Sequence, residues 1–192
     1  MKKAFTIVEV SILFVIFLIV AFLVAPLSLD DSLQAKNTSR WRNIQTEFAN
    51  IMYSINMQKG NDDYNFEKTF STAMKSEIKE PITPYKITFM NGTYPTSAYR
   101  FNDYYQTREN SVVAYKLFSN NTDSSMGMLM YDVNGSVGPN VWGKDVFGFN
   151  IYSDRFEPFC KNDPISVQKQ ECTKSGTGLC CSNYYLIGGN IN

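Results

Sequence analysis

The sequence of 192 residues contains no histidine. A chain without histidine has neither a Ser-His-Asp nor a Cys-His catalytic arrangement, and it offers no histidine ligand for zinc. An excess of charge of one sign is also missing, because 18 basic residues balance 18 acidic residues. Nucleic-acid-binding domains carry a basic excess or stripe, so nucleic acid is not an expected partner. Aromatic residues make up 15% of the chain, which is too many for a disordered protein.

Cysteine is absent from most of the chain, and its four cysteines lie near the C-terminus, at Cys160, Cys172, Cys180 and Cys181. Four cysteines allow three pairings. Adjacent cysteines rarely bond each other, because that geometry strains the peptide between them. We therefore expect Cys160 and Cys172 each to bond one member of the adjacent pair. A zinc site of four cysteines is the alternative, but the spacings lack CxxC, and an exported domain favours disulfides.

Charged residues are locally absent from the apolar run Val10–Leu29. As a helix this run would measure roughly 30 Å, the thickness of a bilayer core. A cleaved secretory signal has an apolar core of about 7–15 residues, and this run is longer. We therefore expect one membrane-spanning helix with a soluble domain after it. A plain membrane anchor explains the length of the run but not Glu9, which lies at its beginning.

Five residues stand before or at the start of that run in a characteristic order: Lys2, Lys3, Phe5, Thr6 and Glu9. With the apolar run, they resemble the N-terminus of the type IV pilin and type II secretion pseudopilin family. The resemblance implies a leader of residues 1–4, cleavage between Ala4 and Phe5 by a prepilin peptidase, and N-methylation of Phe5. The family usually has glycine before the cleaved bond, and this chain has Ala4, which is also small.

The spacing of Phe5 and Glu9 gives the carboxylate a chemical role. The two residues are four apart, so they lie on one face of a helix, about one turn from each other. Cleavage would free an α-amine on Phe5 that can partly neutralise Glu9. The resemblance implies that, in a filament, Glu9 meets the Phe5 amine of a neighbouring subunit. An unpaired buried charge is expensive, so this pair would favour one register of assembly.

Helical periodicity continues beyond the apolar run. Apolar residues recur mostly at three- or four-residue intervals at Leu33, Trp41, Ile44, Phe48, Ile51, Met52 and Ile55. This pattern predicts a helix from about Phe5 to about Met57, bent or interrupted near Pro26. The expected domains are a leader (residues 1–4), a transmembrane and assembly helix (5–29), its amphipathic continuation (30–58), and a globular α+β head with a disulfide-bonded C-terminal loop (59–192).

The head is expected to combine one short helix with several strands. Apolar residues at spacings of four predict a helix over 64–78, ended by Pro81 and Pro84. Strands are predicted over 85–89, 111–118, 126–133 and 147–152, with a turn at 120–125 between the second and third. The predicted fold class is α+β: a long N-terminal helix, transmembrane and then amphipathic, packs on an antiparallel sheet. The family resemblance implies the same architecture.

The segment 132–147 concentrates Asp, Asn, Gly and Pro between two predicted strands. One interpretation is a long structured turn, since Asn-Gly and Pro-Asn pairs favour bends. The other is a Ca²⁺ site, because such loops supply carboxylate, amide and backbone oxygens. The EF-hand pattern matches only in part, since Val137 replaces its glycine and Gly143 its glutamate. If calcium binds, Asp132, Asn134 and Asp145 are the first candidate ligands.

Together these features predict a structural protein and not an enzyme: a subunit of a type IV pilus or a type II secretion-type pseudopilus. The resemblance implies other pilin subunits, a prepilin peptidase and an inner-membrane assembly machinery as partners. It implies a bacterial inner-membrane location before assembly and a cell-surface or periplasmic filament afterwards. The alternative is an unprocessed single-span membrane protein with an extracytoplasmic, ligand-binding domain that could hold calcium.

Overall fold

The computed structural model describes residues 7–118 and 125–189, without the side chains of residues 23–31. Two expectations lie outside these residues: the cleavage and methylation positions Ala4 and Phe5, and most of the predicted turn at 120–125. The chain divides into two compact units, Met1–Lys36 and Asn37–Asn192. Helix α1 (Ile7–Asn56) begins in the first unit and ends in the second.

The part of α1 in the N-terminal unit corrects the predicted fold class. Residues 7–22 are all exposed. Across the described residues, no helix meets the requirements of length and apolar character for a membrane span. The prediction of a long transmembrane-then-amphipathic helix is therefore wrong. The helix predicted from about Phe5 to about Met57, bent or interrupted near Pro26, has a backbone that is helical from Ile7 to Asn56, so it is not interrupted at Pro26.

A six-stranded antiparallel sheet forms the centre of the second unit. Its strands lie side by side in chain order: β1 (Ile78–Ile82), β2 (Tyr104–Thr107), β3 (Val112–Leu117), β4 (Gly127–Asp132), β5 (Val146–Ile151) and β6 (Phe156–Pro158). Every neighbouring pair is antiparallel. Each strand therefore pairs with the strands that directly precede and follow it in the sequence.

In the described part of the chain, three further helices accompany the sheet: α2 (Phe66–Glu77), α3 (Ile165–Glu171) and α4 (Cys181–Tyr184), with a 3₁₀ turn at Ser97–Tyr99. The start of α2 is fixed by Asn65, whose side chain accepts a hydrogen bond of 2.9 Å from the backbone N–H of Lys68. This cap satisfies a donor that the first helical turn leaves without a partner. The predicted helix over 64–78 is confirmed to within two residues.

One face of the sheet is covered by the second half of α1 and by α2. The buried apolar side chains of α1 in this unit follow the helical period: Trp41, Ile44, Phe48, Met52 and Ile55. They pack with Leu129 and Tyr131 of β4 and with Phe147 and Phe149 of β5. The indole N–H of Trp41 donates to the carbonyl of Ser182 at 2.8 Å, so the largest side chain of this core is also satisfied as a donor.

The opposite face of the sheet carries a second core. The alternate residues of the same strands, such as Ala114 and Met130, contact Trp142, Phe159 and Leu179 from the loops that follow. Because both faces are covered, β4 and β5 are buried almost without interruption. This explains why their sequences are nearly continuous apolar runs and lack a polar alternation.

The strand predictions are correct where the apolar pattern is strong. The predicted strands 111–118, 126–133 and 147–152 correspond to β3, β4 and β5. The predicted strand over 85–89 is wrong, because this segment has only an isolated bridge, from Thr88 to Val141. Three strands were not predicted: β1, β2 and β6.

Candidate functional site

The connection between β4 and β5 is the candidate site. Asp132, the last residue of β4, pairs with Val146, the first residue of β5. This register brings Asp132 next to Asp145 at one end of the sheet. The chain between them turns at three residues with positive φ: Gly135 (77°), Asn140 (52°) and Gly143 (84°). We call residues 132–146 the acidic loop.

Asp132 is completely buried and receives hydrogen bonds at both oxygens. The phenol of Tyr85 donates to its Oδ2 at 2.9 Å, and the backbone N–H of Asn134 donates to its Oδ1 at 3.2 Å. The first contact joins residues that are far apart in sequence. No sequence signal identified Tyr85, because the segment 85–89 was interpreted as a strand.

Asp145 is also completely buried and organises the second half of the acidic loop. Its Oδ1 accepts from the backbone N–H of Val141 at 2.7 Å, and its Oδ2 accepts from the backbone N–H of Asn140 at 2.9 Å. The side chain of Asn134 contributes a further hydrogen bond to this carboxylate. The structure therefore brings together all three residues that the sequence proposed as calcium ligands.

The acidic loop holds two carboxylates in a poorly solvated place, and this environment raises the pKa of both. Burial and, second, the charge of Asp145 raise the pKa of Asp132 to about 8. Burial also raises the pKa of Asp145, against the hydrogen bonds from Val141 and Asn140 that favour its charged form. Two charged carboxylates repel each other in a poorly solvated place, so a proton or a cation would relieve the repulsion.

Two further oxygen atoms of the acidic loop belong to amide side chains. The Oδ1 atoms of Asn134 and Asn140 are buried and have no hydrogen-bond partner among the described residues. Buried polar atoms are normally satisfied, so these two call for an explanation. Carboxylate and amide oxygens are the ligands that Ca²⁺ prefers, and the residues of the loop fit that ion in their chemistry. The hydrogen bonds of Asp132 and Asp145 equally support the alternative of a structured turn.

The cysteine prediction is confirmed. Cys160 bonds Cys180, and Cys172 bonds Cys181, so each distant cysteine takes one member of the adjacent pair. The rival zinc site fails, because the described chain contains no free thiol. The sulfur atoms of Cys160 and Cys180 lie near a carboxylate oxygen of Asp163, but a disulfide supplies no thiolate for a metal.

The second disulfide also touches the acidic loop through Gly143. A side chain at this position would approach the Sγ atom of Cys181 to 2.6 Å, and the φ of Gly143 is positive. Only glycine combines this conformation with such a close approach. The C-terminal loop and the acidic loop are therefore packed against each other.

The N-terminal residues of the predicted assembly site are described only in part. Glu9 is exposed and lies in the first turn of α1. A carboxylate there is favoured by the dipole of the helix, which gives Glu9 a local role besides any role in assembly. No family model, curated protein or solved structure matches the chain.

Proposed function

We propose that this chain is a structural subunit of a type IV pilus or a type II secretion-type pseudopilus, and that it polymerises through the N-terminal part of α1. The observation that carries the proposal is the exposure of apolar side chains all around α1 between Ile7 and Phe22. A helix that is apolar on every side is normally buried against something. In a filament, the same segments of neighbouring copies would bury one another.

Two further observations support an assembly role outside the cytoplasm. Glu9 lies at the start of the exposed apolar segment. There, an ion pair between Glu9 and the Phe5 amine of a neighbouring copy would favour one register of assembly. The two disulfides are typical of proteins that fold in an oxidising compartment. The partners of this proposal are other pilin subunits, a prepilin peptidase and an inner-membrane assembly machinery. The protein itself performs no reaction in it.

The test is filament formation by charge variants in cells that express the chain. We expect Glu9→Gln and Glu9→Ala to give normal amounts of protein but few or no filaments in electron micrographs. Glu67→Gln is the matched control, because Glu67 is also an acidic residue in the first turn of a helix. Filaments of Glu9→Ala at the wild-type level would refute the assembly role.

The processed N-terminus gives a second, independent readout. Mass spectrometry of the mature chain is expected to find a methylated Phe5 and no residues 1–4. An intact Met1 would favour the other candidate, an unprocessed protein whose extracytoplasmic domain binds a ligand.

For that domain we propose calcium as the ligand, bound by the acidic loop. The specific observation is the pair of buried, unpartnered amide oxygens of Asn134 and Asn140 in the same loop as two buried carboxylates. The calcium function is compatible with the pilus function, because it concerns a different part of the molecule. Its role would be to neutralise Asp132 and Asp145 and so stabilise the loop.

Thermal unfolding with calcium or with EDTA tests the calcium proposal. Calcium at about 100 times its Kd would add about 2.7 kcal/mol to the free energy of unfolding and raise Tm by several degrees. Asp145→Asn is expected to remove this increase, and Asp62→Asn, an exposed residue, is expected to keep it. A wild-type Tm that is the same in calcium and in EDTA would count against the site.

A further inference from the structure

The two disulfides lie in different environments. Cys172 and Cys181 are buried in the core on the α1 side of the sheet. Cys160 is partly exposed, and it lines a cleft of about 480 Å³ together with its partner Cys180. Neither Cys172 nor Cys181 lines this cleft. One disulfide is therefore open to a reagent from solution, and the other is enclosed. We call the space beside Cys160–Cys180 the disulfide cleft.

Much of the wall of the disulfide cleft is apolar. Aromatic and aliphatic side chains from separate parts of the chain line it: Tyr99, Met128, Phe159 and Leu179. Phe159 and Leu179 belong to the core on this side of the sheet, and Tyr99 and Met128 pack against that core. The wall is therefore held in place by the fold. A cleft of this kind favours a partner that brings an apolar surface to the disulfide.

The charged groups of the disulfide cleft are already used within the protein. The buried carboxylate of Glu157 accepts a hydrogen bond of 3.1 Å from Arg155 and forms an ion pair with Lys161 at 3.5 Å. The Oε2 atom of Glu171 accepts from both the backbone N–H and the hydroxyl of Thr177. These contacts stabilise the loops that carry them. The reactive feature that the cleft presents to solvent is the disulfide.

The backbone at Cys160 also favours opening of the bond. Its φ is 62°, in the left-handed region, where a side chain with a Cβ atom is disfavoured. Such a conformation persists where the surrounding structure enforces it, and the bond to Cys180 is one of the constraints on Cys160. Reduction removes that constraint. The adjacent Cys181 stays bonded to Cys172, so the rest of the C-terminal loop remains attached.

We propose that Cys160–Cys180 is a thiol–disulfide exchange site for a protein dithiol of the CxxC class. A thiolate of the partner attacks the Sγ atom of Cys160, the more exposed of the two cysteines. A bond forms between these sulfur atoms, the bond to Cys180 breaks, and Cys180 leaves as a thiolate. The second thiol of the partner then displaces Cys160. The partner is oxidised to a disulfide, and its two electrons and two protons end on the thiols of Cys160 and Cys180. The proposal is independent of the assembly and calcium proposals.

The carboxylate of Asp163 slows this exchange. One of its oxygen atoms lies within 4.8 Å of the sulfur atoms of Cys160 and Cys180, where it repels both the attacking and the leaving thiolate. Asp163→Asn is therefore expected to speed the exchange about two- to fourfold at low salt. Asp62→Asn changes an exposed residue outside the cleft and is expected to keep the wild-type rate. An Asp163→Asn variant that reacts at the wild-type rate would contradict this role.

The test is timed reduction of the purified full-length chain with dithiothreitol under native conditions. The thiols are blocked with N-ethylmaleimide, and mass spectrometry identifies the labelled cysteines. We expect Cys160 and Cys180 to be labelled at least about tenfold faster than Cys172 and Cys181, because access controls the rate of exchange. The form with one disulfide is expected to keep the circular dichroism spectrum of the folded protein. Equal rates for both pairs, faster labelling of the buried pair, or loss of the folded spectrum would overturn the proposal.

A protein dithiol tests the proposed class of partner. Thioredoxin, supplied with its reductase and NADPH, is the CxxC protein in this experiment. We expect the wild type to oxidise about one NADPH per chain and to keep Cys172–Cys181 closed. Cys160→Ser/Cys180→Ser is the control, and it is expected to oxidise none. No oxidation of NADPH with the wild type, or oxidation at the wild-type rate with the control, would overturn the proposal.

Discussion

The carboxyl group of Asp132 is buried at the end of β4, with Asp145 as its neighbour. The protein stabilises it with hydrogen bonds from Tyr85 and from the backbone of Asn134. These bonds favour the charged form, but burial opposes it more strongly, and the pKa rises to about 8. The free energy of unfolding should therefore depend on pH in a range where most carboxylates do not titrate.

The first prediction concerns that pH dependence. The pKa of Asp132 is higher in the folded state than its ordinary value of 3.8, so the folded state binds the extra proton. Its stabilising effect is complete below about pH 4 and is lost as the pH rises through about 8. We expect urea unfolding in EDTA to show a loss of more than about 1.4 kcal/mol, the equivalent of one pKa unit, between pH 5 and pH 8.

Asp132→Asn is expected to flatten this profile, because the amide keeps an acceptor for Tyr85 and carries no charge. Asp62→Asn changes an exposed residue and should keep the wild-type slope. A wild type whose stability increases from pH 5 to pH 8, or an Asp132→Asn variant with the wild-type slope, would show that Asp132 is not the responsible group.

At the level of single residues, the sequence predicted the acidic side chains of the loop but not their environment. Asp132, Asn134 and Asp145 stand out because an Asp- and Gly-rich segment lies between two apolar runs. The contact with Tyr85 depends on tertiary packing that joins distant parts of the chain, and no local pattern encodes it.

Among the elements, the C-terminal loop depends most on its covalent bonds. Its regular structure consists of two short helices, α3 and α4. The disulfide Cys172–Cys181 is buried in the core on the α1 side of the sheet, and Cys160 packs against the opposite core. The two bonds therefore attach one loop to both hydrophobic cores.

The second prediction follows from that attachment. The double variant Cys172→Ser/Cys181→Ser is expected to lower the free energy of unfolding by about 2–4 kcal/mol, because the unfolded chain regains conformational freedom. A double variant is required, since a single leftover thiol can exchange with the remaining disulfide. Urea denaturation measures the change, and Cys160→Ser/Cys180→Ser is the parallel variant. A loss below about 0.5 kcal/mol in both would mean that packing alone holds the loop.

The strands show which elements a sequence can reveal. β4 and β5 were predictable because they are buried on both faces and are therefore apolar runs, and β3 because its first half, Val112–Ala114, is buried in the same way. β1 contains Pro81 and β6 ends with Pro158. Both strands lie at the edges of the sheet, where proline is tolerated, and a proline within a run argues against a strand. The segment 85–89 has a strand-like composition but lies outside the six-stranded sheet.

At the scale of the whole molecule, the two units differ in what stabilises them. The unit Asn37–Asn192 contains both cores, the sheet and the disulfides. The described residues before Asn37 contribute exposed helix and no member of either core. Folding stability and the proposed assembly should therefore be separable. The apolar run indicated a distinct N-terminal segment, but no helix in the described part of the chain meets the requirements for a membrane span.

The third prediction tests this separation. A chain that begins at Asn37 is expected to unfold cooperatively, with a Tm within a few degrees of the full-length protein. It keeps both hydrophobic cores, the sheet and the disulfides. Circular dichroism at several wavelengths measures the transition, and electron microscopy should find no filaments. A truncated chain without a cooperative transition would show that the N-terminal unit is needed for folding.

The order of the strands has a consequence for how the chain folds. Since β1 to β6 lie in the sheet in the order in which they occur in the sequence, every strand finds its partner in an adjacent segment. Such local pairing lowers the contact order and favours rapid folding. All four cysteines come after β6, the last strand of the sheet, in the sequence. As the chain emerges from its N-terminal end, the sheet can therefore form hairpin by hairpin, and oxidation of the cysteines then closes the structure as the final step.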